Sequence, residues 1–279
     1  MNRISFLSVL LAGIFAAISP SEAQFMDLMT YNIKYDNPDD GQDSWDARKD
    51  RVVGQLRFYH PAVFGIQEGL NHQVNYLQQK LPGYDYVGVG RDDGKTAGEY
   101  SALFYDRSVF KRIRHNTFWL SNTPGNPSVG WDAALERICT LALLEHRASK
   151  KRLWVFNTHF DHVGEKARYR SAKLILEKIR TLNKEGFPVV LMGDLNAEPK
   201  DPPIQAISRH MDDARVVSRD PAFGPEGTYN GFDFNRPVTR RIDYIFVKGV
   251  DVLKYAVLSD PEDLHYPSDH FPVLARIQL

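Results

Sequence analysis

The chain has 279 residues, 43% of them hydrophobic and 25% charged, and its 35 basic residues balance 35 acidic ones. Zero net charge excludes a global field that would draw in a long polyanion, which argues against a processive nuclease but leaves room for local basic patches. The single cysteine, Cys139, rules out an intrachain disulfide, and its apolar surroundings mark it as a small buried residue rather than a nucleophile.

In chain order, the first segment reads as an export signal. Arg3 supplies a positive start, Ile4 to Ile18 is apolar, and Ser21-Glu22-Ala23 places small residues where a signal peptidase reads them. The apolar run is shorter than the ~20 residues of a membrane span, and no cysteine follows it to carry a lipid. Residues 1–23 are therefore expected to be a signal peptide, and 24–279 a single domain with no membrane span. An exported protein of this size without disulfides fits a bacterial periplasm or cell surface.

Phe25 to Ile33 reads as a strand, and Ala47 to Tyr59 as a helix with Val52, Val53 and Leu56 on one face. Ala62 to Gln67 is a second strand. Asn71 is a candidate cap for a helix through Lys80 that ends at Pro82-Gly83. Further strands are predicted at Tyr84–Val89, Ser101–Tyr105, Ile138–Glu145 and Leu153–Thr158. The strongest helix runs from Glu165 to Lys184, with Ala172, Ile175, Leu176, Ile179 and Leu182 as its buried stripe and Gly186 as its stop. Val189–Met192 is almost wholly apolar and so central; Ile242–Val247, Val252–Leu258 and Val273–Ile277 complete the β elements. These are too many strands for one doubly wound sheet, and two packed sheets with helices outside fit better.

Polar residues recur at the predicted strand ends: Asn32, Glu68, His159, Asp194 with Asn196, Asp243, and Asp269-His270. Each alone is an ordinary strand terminator. Together they suit one chemistry, because carboxylate and amide oxygens favour a hard cation such as Mg²⁺ or Mn²⁺. Glu68 is the expected main ligand, with Asn32 and Asp269 beside it. An Asp243–His270 pair has the makings of a water-activating base.

The segments Thr30-Tyr31-Asn32-Ile33, Ile66-Gln67-Glu68, Asn157-Thr158-His159, Gly193-Asp194-Leu195-Asn196, Arg241-Ile242-Asp243-Tyr244 and Ser268-Asp269-His270 resemble, in order, the motifs of the endonuclease/exonuclease/phosphatase superfamily. With Trp45-Asp46-Ala47-Arg48-Lys49, they are similar to a secreted bacterial branch of it. The resemblance implies a four-layer α/β sandwich of two packed mixed β-sheets flanked by helices, with the site at one end. It also implies metal-dependent hydrolysis of a phosphate ester. Glu68 would hold the ion, Asn32 would help place it or the phosphate, and Asp269 would be an accessory ligand. Asp194 and Asn196 would orient the water and the phosphoryl group, and His159 would donate to a phosphate oxygen. Asp243 and His270 would form the base pair, with Asp194 as the other candidate for the proton.

Weaker signals have two readings each. His159-Phe160-Asp161-His162 could be a zinc cluster, but His162 would point off the face shared by residues 159 and 161. Arg137 could clamp an anion or stand exposed at a strand start. Arg168 could reach a phosphate or be a solvated helix residue. Trp45, Trp131, Tyr229, Phe232 and Phe234, all in predicted loops, could wall a sugar or base ring or simply cover the sheet ends. The leading reading is hydrolysis of small or glycan-linked phosphate esters by a monomer. A 3′–5′ exonuclease of deadenylase type stands second, with nucleic acid not favoured, and a catalytically inactive phospholigand binder is the reading from another class. Protein from its native host is expected to begin near Gln24, and intact-mass spectrometry that finds Met1 retained would contradict the export signal.

Overall fold

The structure, a computed structural model, describes residues 25–279, so the export signal lies outside it. Strands β1 (Phe25–Asn32), β2 (Val63–Gln67), β3 (Tyr84–Val87), β4 (Leu103–Asp106), β11 (Asp251–Val257) and β12 (Val273–Gln278) form one sheet in the order β11-β12-β1-β2-β4-β3. Strands β5 (Phe110–Trp119), β6 (Ile138–His146), β7 (Arg152–His159), β8 (Val189–Asp194), β9 (Asp212–Asp213) and β10 (Asp243–Lys248) form the other, in the order β5-β6-β7-β8-β10-β9. Both sheets are mixed: β1 runs parallel to β2 and β7 to β8, and their other pairings are antiparallel.

The layering follows from the period-2 pleat. Met26 and Leu28 of β1 point inward to a core that also holds Val63, Val155, Met192, Ile245 and Val273, whereas Met29 and Tyr31 point outward. The outer face of the first sheet packs on helices α1 (Trp45–Tyr59) and α2 (Asn71–Lys80) through Val52, Leu56, Val74 and Leu77. That of the second packs on α3 (Glu165–Leu182) and α4 (Pro202–Ser208) through Ala172, Ile175, Ile179 and Ile204. This is the four-layer sandwich the motifs implied. A short helix, α5 (Ala214–Val217), follows β9.

Some boundaries differ from the pattern-based ones. The residue capping α2 is Leu70, whose N–H donates to Gln73 Oε1 at 3.0 Å, while the Asn71 side chain accepts from Tyr100 Oη at 3.0 Å. Strand β5 was not anticipated. Its run Lys111-Arg112-Ile113-Arg114-His115-Asn116 is polar because β5 is an edge strand, where charge discourages pairing with another chain.

Along each inward stripe the residues change from apolar to polar toward one end. Thr30 then Asn32, Asn157 then His159, Asp194 and Asp243 all occupy inward positions at that end. A buried amide joins the sheets below them. Asn157 Nδ2 donates to the carbonyls of Ile66 and Ala102, each at 2.9 Å, and its Oδ1 accepts from Gln67 Nε2 at 2.7 Å. Gly65 leaves room for it, since a Cβ there would stand 2.5 Å from Asn157 Cγ. Gly65→Ala is expected to lower stability in chemical denaturation by about 1–3 kcal/mol. Gly54→Ala, on an exposed turn of α1 with nothing within 4 Å, should be neutral or stabilising. Equal effects of the two would remove the case for the inter-sheet amide.

Candidate active site

Parallel strands β1, β2, β7 and β8 end where antiparallel β10 and β12 begin, so six segments deliver side chains to one rim. Register aligns His159 with Asp194 and Asp194 with Asp243. Past the strand ends, Glu68 and Asn196 adopt left-handed backbone, at φ 65° and 45°. The left-handed turns let the chain leave the strand while the side chain returns over the rim.

Asn32 lies at the centre. Its Nδ2 donates to Glu68 Oε1 at 2.9 Å and Asp194 Oδ2 at 3.0 Å, and its Oδ1 accepts from the Lys34 N–H at 3.0 Å. Asp194 Oδ1 accepts from the Asn196 N–H at 2.9 Å. His270 places Nδ1 2.9 Å from Asp243 Oδ2 and Nε2 3.7 Å from Asp194 Oδ2. A carboxylate on Nδ1 fixes the proton there and turns Nε2 toward the cleft. Tyr229 covers the His270 ring edge-on at 5.1 Å.

A second histidine is held by a buried arginine. Arg137 Nε donates to Asp161 Oδ2 at 3.2 Å, and its terminal nitrogens face His159 Nδ1 at 3.1 Å and His162 Nδ1 at 2.9 Å. A guanidinium can only donate, so His159 Nδ1 accepts and its proton sits on Nε2, which lies 3.1 Å from the Asn196 side-chain amide and 3.5 Å from Asp194 Oδ2. Glu99 approaches from the β3–β4 loop, accepting from Arg91 at 2.6 Å and lying 3.8 Å from His159 Nδ1.

These groups are strongly perturbed. Burial, reinforced by Asp243, pushes Asp194 up to about 7. Burial likewise pushes Glu99 up to about 7. Burial would also raise Glu68, but Lys34, His270, the Asn32 amide and the Tyr35 N–H outweigh it and hold Glu68 below the usual range. His159 is driven well below its ordinary value by burial and by Arg137 and Arg91. Burial opposes charge on His270 too, yet Asp243 and Asp194 raise it well above its ordinary value. Donor atoms of Glu68, Asp194 and His270 lie within 4.8 Å of one another, a grouping that can hold a metal ion. Two crowded carboxylates, one of them reluctant to ionise, fit a hard cation.

The structure brings Glu68, His159, Asp194, Asn196, Asp269 and His270 to one cleft of about 530 Å³, joined by Arg137 and Tyr229. Asn32 and Asp243 lie directly beneath, bonded to its lining residues. Several expectations need correction. Asn32 turns its NH₂ toward Glu68 and Asp194, while its oxygen accepts from the Lys34 N–H. Asp269 stands outside the metal-competent group and faces Lys34 Nζ at 3.8 Å. Arg137 is 4% exposed, not a solvated strand start. Trp45 opens α1 and is buried against Tyr76, so it does not wall the cleft. Trp131 is half-buried away from the cleft lining, and Arg168 donates to the Asp161 carbonyl at 3.0 Å. Phe232 lies against Arg48 and Phe234 against Tyr266, over the sheet ends. Lys34, Glu99 and Arg240 line the cleft unanticipated as site groups, and His162 stands on its rim beside Arg137, as a rim residue was expected to. The polar Glu99 between Gly98 and Tyr100 was the one visible signal for the β3–β4 loop.

Residues 29–270 match the Endonuclease/Exonuclease/phosphatase family, and the chain belongs to it. The protein is similar to the solved mannosyl-6-phosphatase of Bacteroides thetaiotaomicron, with 37% identity, 91% of this chain and 100% of that one covered, and a TM-score of 0.87. A family protein from Bacteroides vulgatus is 39% identical over 92% of this chain and 99% of its own, with a TM-score of 0.87. Among curated relatives, a probable RNA exonuclease of Saccharomyces cerevisiae is 29% identical over 59% of this chain, and the match spans 34% of the yeast protein. A mimivirus relative of no stated activity is 28% identical over 56% of this chain and 60% of its own length. The human Nocturnin catalytic domain, at 19% identity and a TM-score of 0.73, shares the fold.

The Asp243–His270 pair should behave as a unit. Losing a general base typically costs ~10²–10⁴-fold in rate. His270→Ala should therefore lower kcat strongly, and Asp243→Asn, which permits the wrong tautomer, should approach it. The double variant should be little worse than His270→Ala in steady-state kinetics. Fully multiplicative losses would mean that the two act separately, and Asp194 would become the preferred base.

Proposed function

We propose that the protein is a divalent-cation-dependent phosphatase, exported from a bacterial cell, whose substrates are small or glycan-linked phosphate esters, sugar phosphates above all. The observation that carries this reading is the cleft itself. The metal-competent group of Glu68, Asp194 and His270 opens into about 530 Å³ shared with Lys34, Arg137, Tyr229 and Arg240. That volume suits a small ligand, and the cationic groups suit a phosphate. Likeness to a mannosyl-6-phosphatase over nearly the whole described chain supports the same substrate class.

Mg²⁺ or Mn²⁺ held by the carboxylates of Glu68 and Asp194 would supply neutralisation of charge on the phosphate oxygens. The chain's own residues do the rest. His270 takes a proton from the attacking water at Nε2, while Asp243 holds Nδ1–H and stabilises the imidazolium. His159 donates through Nε2–H to a phosphate oxygen, its tautomer set by Arg137. Asn32 keeps Glu68 and Asp194 at a fixed separation, and Asn196 braces Asp194 through its backbone N–H. Tyr229 and Arg240 form one wall of the cleft, where they would meet the sugar of a substrate.

The second reading is a 3′–5′ exonuclease, favoured by the likeness to a probable RNA exonuclease. A balance of 35 basic and 35 acidic residues weighs against it, since nucleic-acid affinity rests largely on a positive field. Activity is expected to vanish with EDTA and return with Mg²⁺ or Mn²⁺. In a screen of mannose 6-phosphate, other sugar phosphates, mono- and bis-p-nitrophenyl phosphate and oligonucleotides, sugar phosphates should give the highest kcat/KM. Full activity in excess chelator, or a preference for oligonucleotides, would overturn the proposal.

A further inference from the structure

Among the cationic side chains of the cleft, Lys34 differs in how it is held and in what it leaves free. Arg137 is occupied at all three nitrogens by Asp161, His159 and His162. Arg240 is exposed and lies over the Tyr229 ring at 5.6 Å. The Lys34 side chain is only 19% exposed, yet its ammonium has no acceptor within hydrogen-bond distance among the described residues. Its nearest carboxylate oxygen, Asp269 Oδ2, is 3.8 Å away, and the Tyr35 ring lies 4.3 Å below it. The ammonium faces the open cleft with all three N–H groups unspent, free to meet an anion that enters.

The backbone under it is strained and clamped. Lys34 has φ 56°, the left-handed region, which an L residue occupies at a cost. Three hydrogen bonds hold it there. Its N–H donates to Asn32 Oδ1 at 3.0 Å, and its carbonyl accepts from Arg48 at 2.7 Å and Gln73 Nε2 at 2.9 Å. Arg48 is 1% exposed and Gln73 fully buried, so two interior side chains maintain a turn whose outcome is a lysine aimed into the cleft beside Glu68, Asp269 and His270.

Resting on the phosphatase reading, we propose that the Lys34 ammonium binds a terminal, non-bridging phosphate oxygen and so makes the site selective for phosphate monoesters over diesters. A monoester dianion carries one more anionic oxygen than a diester, and Lys34 supplies the donor set for it beyond the groups that serve both. The contact is a charge-assisted hydrogen bond, and losing one costs about 10- to 100-fold in binding.

The test compares wild type, Lys34→Gln and Lys34→Arg by calorimetric titration with inorganic phosphate, with and without Mg²⁺, and separately with Mn²⁺ alone. Lys34→Gln should bind phosphate about 10- to 100-fold more weakly and Mn²⁺ no more weakly than wild type, and Lys34→Arg should recover most of the phosphate affinity. In kinetics, kcat/KM for a monoester should fall by a similar factor in Lys34→Gln, while that for bis-p-nitrophenyl phosphate changes little. Unchanged phosphate affinity, parallel loss of phosphate and Mn²⁺ binding, or equal losses on both ester types would overturn the assignment. If wild type hydrolyses sugar phosphates but Lys34→Gln binds phosphate normally, the lysine inference fails and the phosphatase reading stands. If wild type turns over only diesters, the phosphatase reading fails, and the titration still decides the phosphate contact.

Discussion

The Asn157 amide sets the register of one sheet against the other, and the site depends on that register. Two apolar faces can slide over one another with small changes in buried area, but a buried amide tolerates little displacement. Asn157 stands on β7 and satisfies carbonyls of Ile66 on β2 and Ala102 just before β4, while Gln67 spans from its Oδ1 to Thr30 on β1. Each such bond contributes only ~1 kcal/mol net, whereas each partner left unpaired costs ~1–3 kcal/mol. The network therefore specifies alignment more than it adds stability. One pleat repeat above it, the same inward stripes carry Asn32 and His159, so aligning the network aligns the candidate catalytic groups.

That alignment concentrates negative charge. Glu68, Asp194, Asp243 and Asp269 crowd one end of the sandwich, and three of them are less than a tenth exposed. Burial, with repulsion from Asp243 beside it, pushes Asp194 above the usual carboxylate range. Three devices offset the crowding: the Asn32 amide donating to two carboxylates, the His270 ring holding Asp243 through Nδ1, and the Lys34 ammonium near Glu68 and Asp269. Asp243 Oδ1 is still buried without a partner among the described residues. A cation and a phosphate would complete the balance, which is why a site so charged can persist in a folded chain.

What could be read from the sequence, and what could not, follows from these constraints. Glu68, Asp194 and His270 were legible because a strand end, a residue type and a motif order coincide there, and all three act near their own strand. The apolar strands and α3 were legible for the same local reason: Ile175 and Ile179 repeat at helical spacing, and Val189 to Met192 have no polar break. Arg137 was legible as an anion clamp but not its link to Asp161; Glu99 and Lys34 were not, because one enters on the β3–β4 loop and the other is held by Arg48 and Gln73 far along the chain, and no local spacing announces such pairs. Trp45 looked like a loop aromatic because Pro38 and Gly41 precede it, yet a 3₁₀ turn at Pro38–Asp43 delivers it into the first turn of α1 and the core. The polar strand β5 was hidden because an edge strand does not need the alternation that reveals a central one.

Chemistry and specificity sit on different parts of this frame. Strand ends carry the candidate catalytic groups, and the relatives' names describe a sugar phosphatase and an exonuclease. Choice between such substrates must then come from the loops above. The loop after β1 is not free to adapt. Arg48 donates to the carbonyls of Ile33, Lys34, Tyr35, Asp43 and Pro267, tying the start and end of that loop to the segment that carries Asp269 and His270. Those carbonyls would otherwise be short of donors, so moving the loop would break several buried bonds at once. A wall built this way selects by the shape and charge it already has rather than by closing around whatever enters. Discrimination by a preformed wall is strongest where a substrate leaves a buried charged group unpaired, because that penalty exceeds the loss of apolar contact. On the proposed function, specificity in this site thus rests on its fixed cations more than on its aromatic rings.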